Sequence, residues 1–168
     1  MPDSLPGETL TEPADFMSRL EQGKRLLGLD LGTKTIGVAL SDVTRTIASS
    51  FETITRTRFK ADAARLLDIA AKHDVGGFVL GLPRNLDGSE GPRAQATRAF
   101  ARNLNRLSPL PILLWDERWS TMAAERMLIE ADSSRKRRGE VIDKVAATII
   151  LQSALDRMKA ISTSVESP

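Results

Sequence analysis

The stretch RLLGLDLGTKTIGVALS at residues 25–41 constrains the fold more than any other part of the chain, because two short apolar runs flank Leu31, Gly32, Thr33 and Lys34. That spacing predicts a β-hairpin, with Gly32 supplying the dihedral freedom of the turn. The first run, Leu26 to Leu29, is bulky enough for a strand buried on both faces. Asp30 stands at its end. An uncompensated carboxylate there would carry a large desolvation penalty, so a partner, a metal or solvent in a cleft must neutralise it. The plainer role for such a residue is to cap the turn.

Downstream, residues 47–55 alternate β-branched and polar side chains, the pattern of a third strand at a sheet edge. Phe59, Ala63, Leu66, Leu67 and Ala70 recur at helical spacing and predict an amphipathic helix ending near His73, which lies in its last, polar turn and reads as solvated. Residues 77–82 form a second buried-strand run. They lead into Pro83-Arg84-Asn85-Leu86-Asp87-Gly88-Ser89-Glu90-Gly91, a loop by composition and a place where function tends to sit. Ala96, Ala99, Phe100, Leu104 and Leu107 mark another helix, with Pro92 in its first turn.

Residues 112–115 predict a strand that stops at Asp116, Glu117 and Arg118. Thr121 can cap a helix with an apolar stripe of Ala124, Met127, Leu128 and Ala131. Residues 133–139 read as a basic, helix-poor segment. In the last helix Ala147, Ile150, Leu151, Ala154 and Met158 define the buried face. Asp143 lies one turn before Ala147 on that stripe, whereas Asp156 falls off it. The order of elements implies an α/β domain with a mixed sheet, helices on both faces and a cleft at the strand ends. The expected organisation is a flexible N-terminal arm at residues 1–23, carrying at most one helical turn, a domain at residues 24–159, and a frayed tail at residues 160–168.

Composition narrows the chemistry. With no cysteine and one histidine, disulfides, thiolate metal sites and multi-histidine or Ser-His-Asp mechanisms lack material, and carboxylates are the abundant catalytic side chains. No apolar run is long enough to span a membrane and no secretory signal opens the chain, so a soluble, cytoplasmic protein with no membrane partner is expected. Residues 1–23 carry five acidic and one basic side chain, leaving 23 basic and 17 acidic in the remainder, a net of +6. A basic body suits a phosphate-rich partner.

Asp30, Glu117 and Asp143 could converge on one end of the sheet. Three carboxylates repel one another unless divalent cations intervene, and Mg²⁺ or Mn²⁺ prefer such oxygen ligands. Two ions about 4 Å apart activate a water and stabilise the leaving oxygen in phosphodiester hydrolysis. Three separate salt bridges would be the structural alternative.

The motifs LGLDLGTKTIGVALSD, FVLGLPRNLDGSEGP, WDERWST and VIDKVAATIIL, in this order, resemble those of the YqgF (RuvX) family of the ribonuclease H-like superfamily. Its members are described as Holliday-junction resolvases and are now regarded as nucleases that process the small-subunit ribosomal RNA precursor. The resemblance implies a ribonuclease H-like fold with a mixed five-stranded sheet, and Asp30, Glu117 and Asp143 as catalytic acids binding Mg²⁺ or Mn²⁺, two ions in all. Asp116 competes with Glu117 for the inward position, and Glu117 is favoured. Candidate nucleic-acid contacts are Lys34, Arg84 and Arg118 within the motifs and the run Arg135, Lys136, Arg137, Arg138, four cations that repel one another unless phosphate is present.

The expected substrate is precursor 16S rRNA, or else branched DNA. Symmetric junction cleavage would require a dimer, which the sequence leaves undetermined. Two features depart from the family pattern: the N-terminal arm, and Trp119, where a smaller aliphatic residue is expected. Trp119 suits core or helix packing, or a stacking platform for an unpaired base. The D-x-G-T element also resembles the phosphate loop of actin-like and sugar-kinase ATPases, but those bind nucleotide between two such domains. A non-catalytic nucleic-acid module is the third reading, against which the three acids stand.

Overall fold

The computed structural model describes residues 6–119 and 135–166, with side chains from 145 to 164 in the second span. Its centre is the expected hairpin. Strands β2 (Arg25–Leu31) and β3 (Thr35–Ser41) pair antiparallel, with Asp30 opposite Gly37, and the Gly32 N–H donates to the Thr35 carbonyl at 2.8 Å to close the turn. β4 (Ala48–Thr55) continues the meander and forms one edge. On the other side β5 (Val75–Leu82) runs parallel to β2, and β6 (Ile112–Asp116) runs parallel to β5.

A sixth strand corrects the expected count of five. β1 (Thr9–Leu10) pairs parallel with β6 through Ile112 and Leu113, giving the order β1-β6-β5-β2-β3-β4. It comes from the segment expected to be a flexible arm. The helix behind it, α1 (Pro13–Ser18), buries Phe16 completely. Its ring occupies the space a side chain at Gly77 would need, with Phe16 Cζ 2.9 Å from the position of a Cβ there. A two-residue strand has no periodicity to read, and a single aromatic anchor leaves no stripe. The segment therefore belongs to the domain.

Helices cover both faces. α2 (Phe59–Lys72) and α3 (Pro92–Asn105) pack on Leu27, Leu29, Leu31, Phe78 and Leu80. On the opposite face α4 (Arg135–Glu166) packs with Phe16 against Leu26, Val79, Leu113 and Trp115 through Ala147, Ile150, Leu151 and Ala154. The alternation along β2 dictates this division, because odd and even side chains leave a strand on opposite sides. Gly28 lets α4 approach closely: a Cβ there would lie 2.6 Å from Leu151 Cβ and 3.1 Å from the Ala147 carbonyl oxygen.

Two helix expectations also change. The segment around Arg135–Arg138, read as helix-poor, opens α4, and α4 continues to Glu166 through the tail expected to fray. Lys and Arg are good helix formers once a packed helix follows them. The helix expected after Thr121 lies outside the described residues. His73, read as solvated, is half-buried beyond the end of α2, edge-on to Phe51 at 4.9 Å between ring centres.

Candidate active site and nucleic-acid interface

Parallel strands β2, β5 and β6 end together, and the acidic residues sit at those carboxyl ends, where α/β sheets place their ligand crevices. Asp30 is 2% exposed. It shares a strand face with Leu26 and Gly28, so it lies on the α4 side of the sheet. Glu117 follows β6 in a single 3₁₀ turn, Glu117–Trp119. Its Oε1 lies 3.1 Å from where a Cβ on Gly81 would stand, beside Ile150 of α4. Its carboxylate therefore leans back over β5 on the same side as Asp30.

Asp116 goes the other way. It follows the alternation of Ile112 and Leu114, which face α2 and α3, and it is closed by guanidinium groups. Arg118 donates from Nη2 at 2.7 Å and from its backbone N–H at 2.9 Å, and Arg84 Nη1 reaches the same carboxylate at 3.4 Å. Burial alone would push this carboxyl up. The Arg118 side-chain and backbone hydrogen bonds, with the charges of Arg118 and Arg84, outweigh burial and hold it below the usual carboxylate range. Arg118 is raised in turn, chiefly by its hydrogen bonds to Asp116.

The same cluster shapes the loop after β5. Arg84 Nη2 donates to the Gly88 carbonyl at 2.7 Å, and Gly88 has φ +89°. Glu90 takes a two-pronged contact from Arg98 at 2.6 and 2.8 Å. Arg84 and Arg118, expected as phosphate contacts, thus spend much of their hydrogen-bonding capacity on Asp116, though each side chain keeps about 30% exposure. Lys34 is exposed on the hairpin turn.

Two arginines passed over in the sequence flank that turn. Arg56 donates to the Gly32 carbonyl at 2.7 Å and Arg93 to the Leu31 carbonyl at 3.1 Å. Each lies at an element end with nothing in the neighbouring sequence to set it apart from other surface cations.

Asp143 lies in α4, four residues before Ala147. Leu155 and Met158 stand beside Met17 and Leu20 at the amino end of β2, and Ala147 and Leu151 stand over Gly28, so α4 runs antiparallel to β2. Its backbone therefore continues from Ala147 towards the strand ends that carry Asp30. The side chains of Asp143 and of Arg135, Lys136, Arg137 and Arg138 lie outside the described residues.

For a divalent cation, the described donors are the carboxylates of Asp30 and Glu117. No group of three candidate ligands gathers among the described residues. Oxygen-only donors on a buried strand end, with no thiolate present and the single imidazole engaged by Phe51, fit a hard cation such as Mg²⁺ or Mn²⁺.

The fold and site define a class: an α/β protein whose acidic site lies at the carboxyl ends of its central strands. Residues 24–157 match the family described as RuvX, Holliday junction resolvase. The chain belongs to the RuvX family. It is 62% identical over 154 residues to a Roseobacter denitrificans protein named "putative pre-16S rRNA nuclease", covering 90% of this chain and 94% of that one. A Cereibacter sphaeroides protein of the same name is 65% identical over 144 residues, covering 86% and 90%. Among solved structures, Thermus thermophilus RuvC in complex with a Holliday junction substrate aligns at a TM-score of 0.48 and 14% identity, over 81% of this chain and 96% of that one.

Proposed function

We propose that this chain is a ribonuclease H-like, metal-dependent endonuclease that hydrolyses phosphodiester bonds in maturing the 5′ end of precursor 16S rRNA, and so acts in the cytoplasm. One observation carries the reading: Asp30 and Glu117 share the α4 side of the strand ends while Asp116 is turned to the opposite face and closed by arginines. The names of the 62% and 65% identical relatives support precursor rRNA as substrate.

Asp30, Glu117 and Asp143 would hold a divalent cation, which when bound supplies an activated water and charge neutralisation at the phosphate. The chain's own residues position the substrate. Arg135, Lys136, Arg137 and Arg138, in the first residues described of α4, would contact phosphate, and Lys34 stands on the turn beyond Asp30.

The family description favours one second reading, a resolvase acting on branched DNA, which would need two copies for paired cuts. The test offers purified protein with Mn²⁺ to labelled precursor rRNA, single strands, duplexes and four-way junctions. Site-specific cutting of the precursor is expected. Cutting of junctions alone would establish the second reading, and equal binding with and without EDTA but no cutting would leave only a binding module.

A further inference from the structure

The turn between β2 and β3 is held from outside by two cations. Arg56, just past β4, donates from Nη1 to the Gly32 carbonyl at 2.7 Å, and its backbone N–H donates to the Lys34 carbonyl at 2.8 Å. Arg93, in the first turn of α3, donates from Nη2 to the Leu31 carbonyl at 3.1 Å. Among the described residues both arginines line one small cleft, with Gly32, Thr33 and Thr97. Arg56, Arg93 and Lys34 are all exposed.

Several other guanidinium groups of the molecule end on carboxylates: Arg65 on Glu52, Arg98 on Glu90 and Arg118 on Asp116. Arg56, Arg93 and Lys34 take part in none of the ion pairs among the described residues. Each arginine spends an N–H of its side chain on a carbonyl and keeps the others, in the planar fork that matches a phosphate. A carbonyl fixes the direction of such a group without cancelling its charge. Like charges gathered around one turn repel until an anion joins them.

The place of the turn says which anion. Leu31 and Gly32 follow Asp30, so the carbonyls that hold the two guanidinium groups lie within roughly 10 Å of the Asp30 Cα. Asp30 faces α4, whereas Leu31 and α3 belong to the opposite side of the sheet. An anion fixed by Arg56 and Arg93 is therefore a neighbour of the phosphate at the acidic site and not that phosphate itself.

We propose that Arg56, Arg93 and Lys34 form a second phosphate-binding site, which grips the backbone of the substrate strand beside the phosphate that is cut. They are positioning residues: backbone contacts set register and orientation and carry no sequence information. The inference rests on the nucleic-acid reading of the chain and deepens it.

The test measures binding in EDTA, so cleavage plays no part. Unstructured oligo(A), oligo(C) and oligo(U) are titrated over a range of salt into the full chain and into Arg56→Gln, Arg93→Gln, both together, Arg56→Lys with Arg93→Lys, and Arg102→Gln, with melting curves for each. Gln keeps a donor for the turn carbonyl and drops the charge, whereas Lys keeps the charge. Arg102, in the last turn of α3, controls for a charge lost at the far end of the same helix. Each single Gln variant should lower the magnitude of the log K versus log salt slope by about 0.7, and the double variant by about 1.4 with affinity down about tenfold. The loss should be equal for the three sequences. The double Lys variant should restore the slope, and Arg102→Gln should leave it unchanged.

An unchanged slope in a folded double Gln variant would overturn the proposal, and a lower melting temperature with the slope intact would reduce both arginines to braces of the turn. Micromolar binding of inorganic phosphate or ATP that the double Gln variant loses, with strand binding intact, would also overturn it and make the cleft a site for a free phosphate. The expected slopes in a protein that cuts no substrate would keep the site and defeat the nuclease reading. Cutting by a protein whose slope the double Gln variant does not move would do the reverse.

Discussion

Asp116 and Glu117 are neighbours in sequence and opposites in surroundings. Asp116, on the last position of β6, faces α2 and α3 and is gripped by Arg118 and Arg84, whose other bonds hold the loop after β5. Glu117, one residue on, turns over Gly81 towards α4 and the side of Asp30. The first carboxylate fastens a loop. The second lies on the side of the sheet that carries Asp30. The contrast teaches that a charge at a strand end has no meaning until its face is known: the strand's alternation sets Asp116, and the 3₁₀ turn that follows sets Glu117.

Breaking the α4 side should have the largest effect. Asp30→Asn and Glu117→Gln are each expected to lower divalent-dependent cleavage about a hundredfold or more while binding stays measurable, since they remove a metal ligand and spare phosphate contacts. Single-turnover cleavage beside equilibrium binding checks this, and undiminished cutting by either variant would dissolve the contrast. Asp143→Asn should lose activity to a similar degree with stability in EDTA unchanged or raised by about 1 kcal/mol, because it relieves repulsion within an acidic cluster. A drop of about 3 kcal/mol would instead mark it as the partner of a buried cation.

On the opposite side, Asp116→Asn should act mainly on stability. Removing a buried charge that answers two guanidinium groups is expected to cost about 2 kcal/mol in chemical denaturation, with a smaller fall in cleavage than Glu117→Gln. The reverse order of activities would exchange the roles of the two neighbours. Gly81→Ala sharpens the comparison from within the sheet. Its new methyl would press on Ile150 and on Glu117 at 3.1 Å, so a loss of about 1–3 kcal/mol and reduced cleavage are expected together.

Acid should affect the Asp116 side in a defined direction. The Asp116 carboxyl is lower in the folded chain than its ordinary 3.8, so the unfolded chain takes up the proton first as pH falls. Its contribution is complete above about pH 4 and is lost as pH drops through the folded value. Asp116→Asn should therefore flatten the acid limb of the stability curve. Asp42, held at about 2 by the Ile47 backbone N–H and the Thr44 hydroxyl, supplies a control with the same sign between about pH 4 and pH 2. The smallest effect belongs to the basic run: replacing Arg135, Lys136, Arg137 and Arg138 by Ala should reduce the salt slope of single-strand binding by up to about 3. An unchanged slope would remove the run from the interface.

Much of the molecule was legible in the chain alone. The hairpin around Gly32, the buried run at β5 and the stripe of α4 are local patterns, and local sterics and burial enforce them wherever the chain folds. Asp30 drew notice for the same reason, because it ends an apolar run, and the structure places it buried at the strand end. Arg56 and Arg93 were not legible, because what singles them out is a hydrogen bond to a distant turn.

By itself the sequence determined the alternation of strands and helices and the family. Only the tertiary structure decided that Thr9 and Leu10 extend the sheet, since their partners Ile112 and Leu113 lie about a hundred residues away and two residues carry no period. It also decided that Asp116 and Glu117 part company, because the strand's alternation ends at Asp116 and a 3₁₀ turn sets the direction of Glu117. The cleft between Trp115 and Trp119 belongs to the same category. Among the described residues its lining comes from β6, the 3₁₀ turn, the N-terminal segment and α4, and packing alone brings segments so far apart in the chain onto one surface.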